Sequence, residues 1–292
     1  MELLVLGGTG LLGIALCREA RSRKIDVGNA ARKSADIDLD LNDPDSLESL
    51  LDKHNPEMVI NAAALVDLSA CENDPALAMQ INAQPARVLA KWSKVTGRPF
   101  VHISTDHFFD GDDRMQHDEN AQTTICNVYA KSKLAAESYA LKAEKALVLR
   151  TSLVGIHPDE RGFVGWVFDA LTHHKPLTLF DDFFSSSIDT HTFATATFDL
   201  MARKEYGLLN LASAQVSSKK EFIHALAAAI DIDLNWAETA SVAAITPRRA
   251  RSLGLDVRKV EAVLGRAMPQ LQGVVTQITA QWKAANEWKM AS

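Results

Sequence analysis

The chain is short of cysteine, of long hydrophobic runs and of surplus positive charge, and each shortage removes a class of protein. Cys17, Cys71 and Cys126 are its only three cysteines in 292 residues. They are widely spaced and lack metal-ligand partners, so buried free thiols in a reducing, cytoplasmic compartment are expected rather than a disulfide framework. No bound metal is expected. No apolar run approaches the ~18 residues that a membrane-spanning helix needs. An apolar strand is expected from residue 2 onward, which leaves no room for a signal peptide. Lys and Arg total 31 against 37 Asp and Glu, a net charge of −6, so there is no electrostatic footprint for nucleic acid. No internal repeat or low-complexity segment is visible. What remains is an ordinary globular composition, 47% hydrophobic and 23% charged. A chain this long can bury a large core in one domain or two closely packed ones.

What is present begins with an alternation. Strand candidates near 2–6, 25–30, 58–61, 99–104 and 146–150 alternate with helical stretches near 11–23, 43–54, 75–96 and 127–144. That order predicts an α/β fold, a parallel sheet with helices on both faces. The first strand, Glu2-Leu3-Leu4-Val5-Leu6, runs into Gly7-Gly8-Thr9-Gly10-Leu11-Leu12-Gly13 and then a helical pattern. Glycines at i, i+3 and i+6 divide the labour. Gly7 permits a tight turn, Gly10 lets backbone approach a pyrophosphate, and Gly13 lets helix pack on strand. The helix N-terminus then faces the phosphates, as in a Rossmann-type doubly wound sheet.

Further along stand Ser104-Thr105-Asp106 and Tyr129-Ala130-Lys131-Ser132-Lys133. Tyr129 and Lys133 are four apart in a helix-favouring stretch, which places both on one helical face. A lysine ammonium beside a phenol favours the phenolate, so a lowered tyrosine pKa is expected, suited to proton transfer near neutral pH.

Other ordered motifs surround these. They are Asn61-Ala62-Ala63-Ala64 after a strand, Ile81-Asn82-Ala83 in a helix, Arg150-Thr151-Ser152 at another strand end, and Arg248-Arg249-Ala250-Arg251 near the C-terminus. Taken together, from about residue 1 to 265, they resemble the extended short-chain dehydrogenase/reductase family, and within it the dTDP-4-dehydrorhamnose reductase branch. The resemblance implies reduction, with NADPH, of the 4-keto group of a nucleotide-linked 4-keto-6-deoxysugar. It also implies a Rossmann domain of residues 1–150 and about 179–212. A smaller α/β substrate domain would take about 151–178 and 213–292.

Roles follow by resemblance. Tyr129 would give the proton to the C4 oxygen, Lys133 would hold the nicotinamide ribose, and Thr105 would hydrogen-bond the ketone. Gly7, Thr9, Gly10, Leu11, Leu12 and Gly13 would cradle the dinucleotide. Asp40 and Leu41 would sit beside adenine, Ala62, Ala63 and Ala64 would pack against the cofactor, and Ser104 would support the nicotinamide end. The second strand ends in Ala31-Arg32-Lys33-Ser34. Arg32 there favours a 2′-phosphate and hence NADPH, with NADH left open by nearby Asp36. On the substrate side Asp106 is either an orienting carboxylate or a turn residue. His107 replaces the tyrosine that often follows in the family. Arg249 is expected on the sugar-nucleotide, although Ala250 stands where the family's proline follows. The segment Asp181-Asp182-Phe183-Phe184-Ser185-Ser186-Ser187 replaces a Gly/Ala-Pro-Thr-like turn over the substrate.

Trp92, Trp166, Trp236, Trp282 and Trp288 are expected mainly as core or interface anchors. Phe163 and Trp166 are candidates for stacking on a base. Two alternatives stay open. One is an NAD-dependent sugar-nucleotide epimerase or dehydratase. The other is a non-catalytic regulatory subunit resembling the methionine adenosyltransferase β subunit. A nucleotide-sugar is the expected partner, without nucleic acid or membrane, and a homodimer is left open.

Overall fold

Four of the apolar runs, Leu3–Leu6, Met58–Asn61, Phe100–Ile103 and Ala146–Arg150, form strands with both faces covered, as near-continuous hydrophobic sequence predicts. The computed structural model describes residues 1–111, 113–160 and 162–291, the side chains of 286–291 excepted. Its large sheet has seven strands: β1 (Leu3–Leu6), β2 (Val27–Ala31), β3 (Ile37–Asp38), β4 (Met58–Asn61), β5 (Phe100–Ile103), β6 (Ala146–Arg150) and β7 (Gly207–Asn210). They lie in the order β7-β6-β5-β4-β1-β2-β3, and every pairing is parallel. The order reverses between β1 and β4, so a crevice opens beyond the C-terminal ends of those two strands.

The helices, in order, are α1 (Leu11–Ser22), α2 (Ser46–His54), α3 (Leu68–Asn73), α4 (Pro75–Asn82), α5 (Gln84–Thr96), α6 (Val128–Ala140), α7 (Phe163–Thr172), α8 (Thr190–Ala202), α9 (Lys219–Ala228), α10 (Arg258–Leu264) and α11 (Leu271–Ala291). Strand alternation decides which side of the sheet each residue supplies. Leu3, Val5, Val101, Ile103, Leu147 and Leu149 join one core with residues of α1 and α8. Leu4, Leu6, Phe100, Ala146 and Val148 join the other with residues of α2 and α5. A third cluster lies apart, built from α7, α9 and α11 around Phe168, Phe222 and Ile278. Beside it run short strands: Phe184–Ser185 pairs with Ser217–Ser218 and with Ser252–Leu255, and Gln116–His117 closes that sheet.

The single helix expected over 75–96 is two helices. Pro85 has no N–H to continue the ladder, and its ring crowds the preceding turn. The chain breaks at Ala83, with φ −102° and ψ −41°. Asn82, last in α4, is fully buried. Its side chain clamps Leu65 at N (2.7 Å) and at O (3.1 Å) and donates to Ser132 Oγ of α6 at 2.9 Å. Among the tryptophans, Trp92 is core, Trp282 stacks on Phe168 at 4.7 Å, and Trp236 donates to the Lys175 carbonyl. Trp166 is 46% exposed. The side chain of Trp288 and the whole of Asp112 lie outside the described residues.

A buried ion pair joins α6 to the sheet. Arg150, at the end of β6, donates from Nε (3.0 Å) and Nη2 (2.8 Å) to the Glu137 carboxylate. Its guanidinium lies over the rings of Phe108 and Phe109 at 5.3 and 5.4 Å. Removing one partner of such a pair strands the other charge in low dielectric. Glu137→Gln should therefore destabilise the protein by about 3 kcal/mol, read as a lower urea midpoint. A change below about 1 kcal/mol would mean that solvent screens the pair as it does at surfaces.

Candidate active site

The glycine-rich turn closes the crevice at β1. Gly7 has φ +76°, a left-handed conformation that only glycine adopts without strain, and a Cβ there would press on Ala63 backbone at 2.8 Å. At Gly13 a Cβ would meet the Gly7 carbonyl at 2.1 Å, so this glycine sets how closely α1 approaches the turn. Gly8, to which sequence reasoning gave no role, is pressed against Asn29 of β2. Gly10 has open space around it apart from the Gly7 carbonyl at 3.2 Å, and as N-cap of α1 it carries no side-chain cap. The first-turn amides of α1 are thus left for an outside acceptor. Thr9 and Leu11 are part-exposed in this turn, whereas Leu12 packs into the core. Ala62, Ala63 and Ala64 are part-exposed beyond β4, and the Asn61 side chain braces them by accepting from the Ala63 amide at 3.2 Å. Leu41 is buried with Leu4 and Leu6, while Asp40 is exposed. Arg32 is exposed just past β2. Asp36, the competing carboxylate, is tied to Asn29 through Nδ2 at 2.6 Å.

Across the crevice stands the first turn of α6. Asn127 caps it by accepting from the Ala130 amide at 2.8 Å, which turns Tyr129 toward the tip of β5. The phenol lies beside the Thr105 hydroxyl, which favours its ionised form against the effect of burial. Thr105 Oγ1 also accepts from the His107 amide at 3.3 Å and approaches Asp106 Oδ1 at 3.4 Å. The His107 and Tyr129 rings meet edge to face, 5.5 Å apart.

Lys133 lies one turn along, but the expected ammonium–phenol coupling is absent. Its Nζ donates to the Ile103 carbonyl at 2.6 Å and lies 3.4 Å from His102 Nε2. Burial dominates both groups instead. It pushes the phenol up to about 12, with Thr105 opposing, and the lysine down to about 8, with Glu137 opposing. The expectation of a lowered tyrosine pKa is therefore corrected. Shared helical face does not ensure contact when a strand-end carbonyl competes for the ammonium.

Of the residues expected to bind substrate, the structure gathers Asp106, His107 and Arg249, and adds Lys219, the first residue of α9, whose charge acts on both Asp106 and His107. Burial raises the Asp106 carboxyl and lowers the His107 imidazole. Arg248 and Arg251 turn away to Asp110 and to Asp113 and Asp182. Lys219 was missed because one lysine in a charged run carries no signal by itself. The capping box Ser218–Glu221, readable as Ser-Lys-Lys-Glu, could have placed it at a helix start.

Several buried polar atoms here have no partner: Ser104 Oγ, Thr151 Oγ1, Asp106 Oδ2, His107 Nδ1 and Arg249 Nε. Buried polar groups are ordinarily satisfied. A crevice that leaves so many open, beside an uncapped helix start and bare glycine backbone, fits a polar dinucleotide and a hydroxyl-rich substrate. Among the described residues, no group of three or more His, Cys, Asp or Glu could hold a metal ion, and no helix is long and apolar enough to cross a membrane.

A doubly wound sheet with this turn and a Thr–Tyr–Lys constellation at its switch point defines the class, an NAD(P)-dependent oxidoreductase of the extended short-chain dehydrogenase/reductase type. A model of the RmlD substrate binding domain family matches residues 1–283, and the chain belongs to that family. A probable low-salt glycan biosynthesis reductase, Agl14, of Haloferax volcanii is 29% identical over 296 residues, covering 96% of this chain and 98% of that protein. The dTDP-4-dehydrorhamnose reductase of Salmonella typhimurium is 35% identical over 159 residues, 53% of this chain and 52% of the relative. The chain thus matches about half the length of that enzyme. The solved dTDP-4-dehydrorhamnose reductase of Bacillus anthracis, in complex with NADP, shares the fold, with TM-score 0.84, 23% identity, and coverage of 96% of this chain and 99% of that one.

The raised phenol has a thermodynamic consequence. Its folded value of about 12 exceeds the ordinary 10.0, so its contribution to stability is complete below about pH 10 and is lost as pH rises toward about 12. In denaturant melts between about pH 9 and about pH 11, wild type should lose stability relative to Tyr129→Phe as pH increases. Parallel curves would contradict a buried, neutral phenol.

Proposed function

We propose that the chain reduces, with NADPH, the 4-keto group of a nucleotide-linked 4-keto-6-deoxysugar. The observation that carries this reading is the gathering of Thr105, Tyr129 and Lys133 at the tip of β5, where the Thr105 hydroxyl acts on the Tyr129 phenol and Lys133 Nζ donates to the Ile103 carbonyl at 2.6 Å. The nicotinamide, when bound, supplies hydride to the ketone carbon. Everything else falls to the protein. The neutral Tyr129 phenol gives its proton to the ketone oxygen as negative charge develops there. Thr105 donates to that oxygen and holds it in line with the phenol. Lys133 holds the nicotinamide ribose. The α1 amides and Gly7–Gly13 turn hold the pyrophosphate, with Ala62–Ala64 against the cofactor, Asp40 and Leu41 at adenine, and Ser104 at the nicotinamide end. Arg32, exposed and with Asp36 occupied by Asn29, takes the 2′-phosphate. Asp106, His107 and Arg249 take the sugar-nucleotide. The relatives' names, reductases acting on dTDP-linked keto sugars in several cases, support the substrate class.

The test is a panel of keto-sugar nucleotides offered with NADPH and with NADH. Steady NADPH consumption with a 4-keto sugar nucleotide is expected. NAD released only on denaturation would instead indicate an epimerase or dehydratase. Failure of both, with a co-purifying protein, would indicate a regulatory subunit. Tyr129→Phe should lower turnover at least ~10²-fold and leave NADPH affinity nearly intact; a variant at full rate would remove Tyr129 from the proton-donor role. Arg32→Ala should weaken NADPH more than NADH, and equal effects would refute the phosphate contact.

A further inference from the structure

Lys219 has no part in the roles assigned so far, yet its environment is built. Its Nζ donates to Ser185 Oγ at 3.1 Å and Ser187 Oγ at 3.3 Å, two buried hydroxyls that also contact each other at 3.0 Å. The rings of Phe163, Phe183 and Phe222 surround it at 5.3, 5.5 and 5.9 Å. Two serines account for two of the three ammonium protons. Asp106 and Arg249 act on its charge. In that cluster Asp106 Oδ2 and Arg249 Nε are buried and unpartnered, and Asp106 makes no ion pair with either Lys219 or Arg249 among the described residues. Two cations face one carboxylate, which leaves one positive charge uncompensated among largely buried groups. Such a charge is costly unless a ligand neutralises it.

From Lys219 an aromatic strip leads outward. Phe163, whose ring lies beside the ammonium, is 38% exposed and stands 6.3 Å from Trp166, itself 46% exposed. Both are on the first turns of α7. Their large apolar faces are open at the edge of a cationic recess, where a flat, amphipathic ring finds both stacking surface and solvent.

We infer that Lys219, steadied by Ser185 and Ser187, binds the diphosphate of the substrate, and that Phe163 and Trp166 form the shelf on which its nucleobase stacks. This rests on the sugar-nucleotide reading and adds an orientation to it: sugar at Thr105, Tyr129 and Asp106, diphosphate at Lys219, base at α7. Lys219 is thereby a specificity-determining residue for the nucleotide half, with no part in proton transfer.

The test is calorimetric titration of the full-length protein with thymidine diphosphate, inorganic pyrophosphate and NADPH. Lys219→Met, which keeps the length and removes the charge, should weaken thymidine diphosphate and pyrophosphate at least ~10-fold while leaving NADPH unchanged; Lys219→Arg should keep most of the affinity. Trp166→Ala should weaken thymidine diphosphate several-fold and leave pyrophosphate alone. The NADPH titration reports folding in each variant, and Lys219→Gln replaces Lys219→Met if the latter fails to fold. Wild-type affinity for thymidine diphosphate in a folded, charge-neutral variant would overturn the site while the reductase reading stands. A wild-type protein that binds neither diphosphate nor NADPH would overturn the reading beneath it.

Discussion

The site depends on how α6 is seated. Glu137, in its last turn, is locked to Arg150 at the end of β6, and the same guanidinium lies on Phe108 and Phe109 of the loop that follows β5. One buried charge pair therefore spaces three things: the helix carrying Tyr129 and Lys133, the strand tips, and the loop that carries Thr105. Asn82 adds a second tie through Ser132. Neither residue reaches reacting groups. Both fix how Thr105, Tyr129 and Lys133 sit relative to one another, because α6 and the tip of β5 are held by these ties.

Burial, more than pairwise charge, sets the electrostatics. Ordinary reasoning from a Tyr-x-x-x-Lys spacing favours a phenolate stabilised by its lysine. Here the ammonium turns to a strand-end carbonyl, and exclusion of water favours the neutral form of each group. A neutral phenol is the form that a proton donor to a ketone requires, so the arrangement suits reduction without a depressed tyrosine pKa. The same desolvation acts on Asp106, His107 and Lys219, so an added charge or hydroxyl beside them would be strongly felt.

Much of this was legible in the chain. Apolar runs of four or five residues followed by glycine or small residues marked the parallel strands, and the i, i+3, i+6 glycines marked the tight turn into α1. Pro85 was also in plain view, and its break between α4 and α5 should have been expected from the missing N–H. The asymmetric roles of Arg248, Arg249 and Arg251 were not legible, since three guanidiniums in four residues look alike until the fold supplies Asp110, Asp113 and Asp182 to claim two of them.

Local pattern by itself determined the strand–helix alternation of the first 150 residues and the glycine turn after β1, because hydrophobic period and glycine placement are properties of neighbours in sequence. Only the tertiary structure decided the charge states and the far wall of the site. Lys219 lies more than eighty residues from Tyr129 along the chain, and Lys133 chose a carbonyl over a phenol. Desolvation and long-range pairing depend on what else is packed nearby, and no short stretch of sequence carries that information.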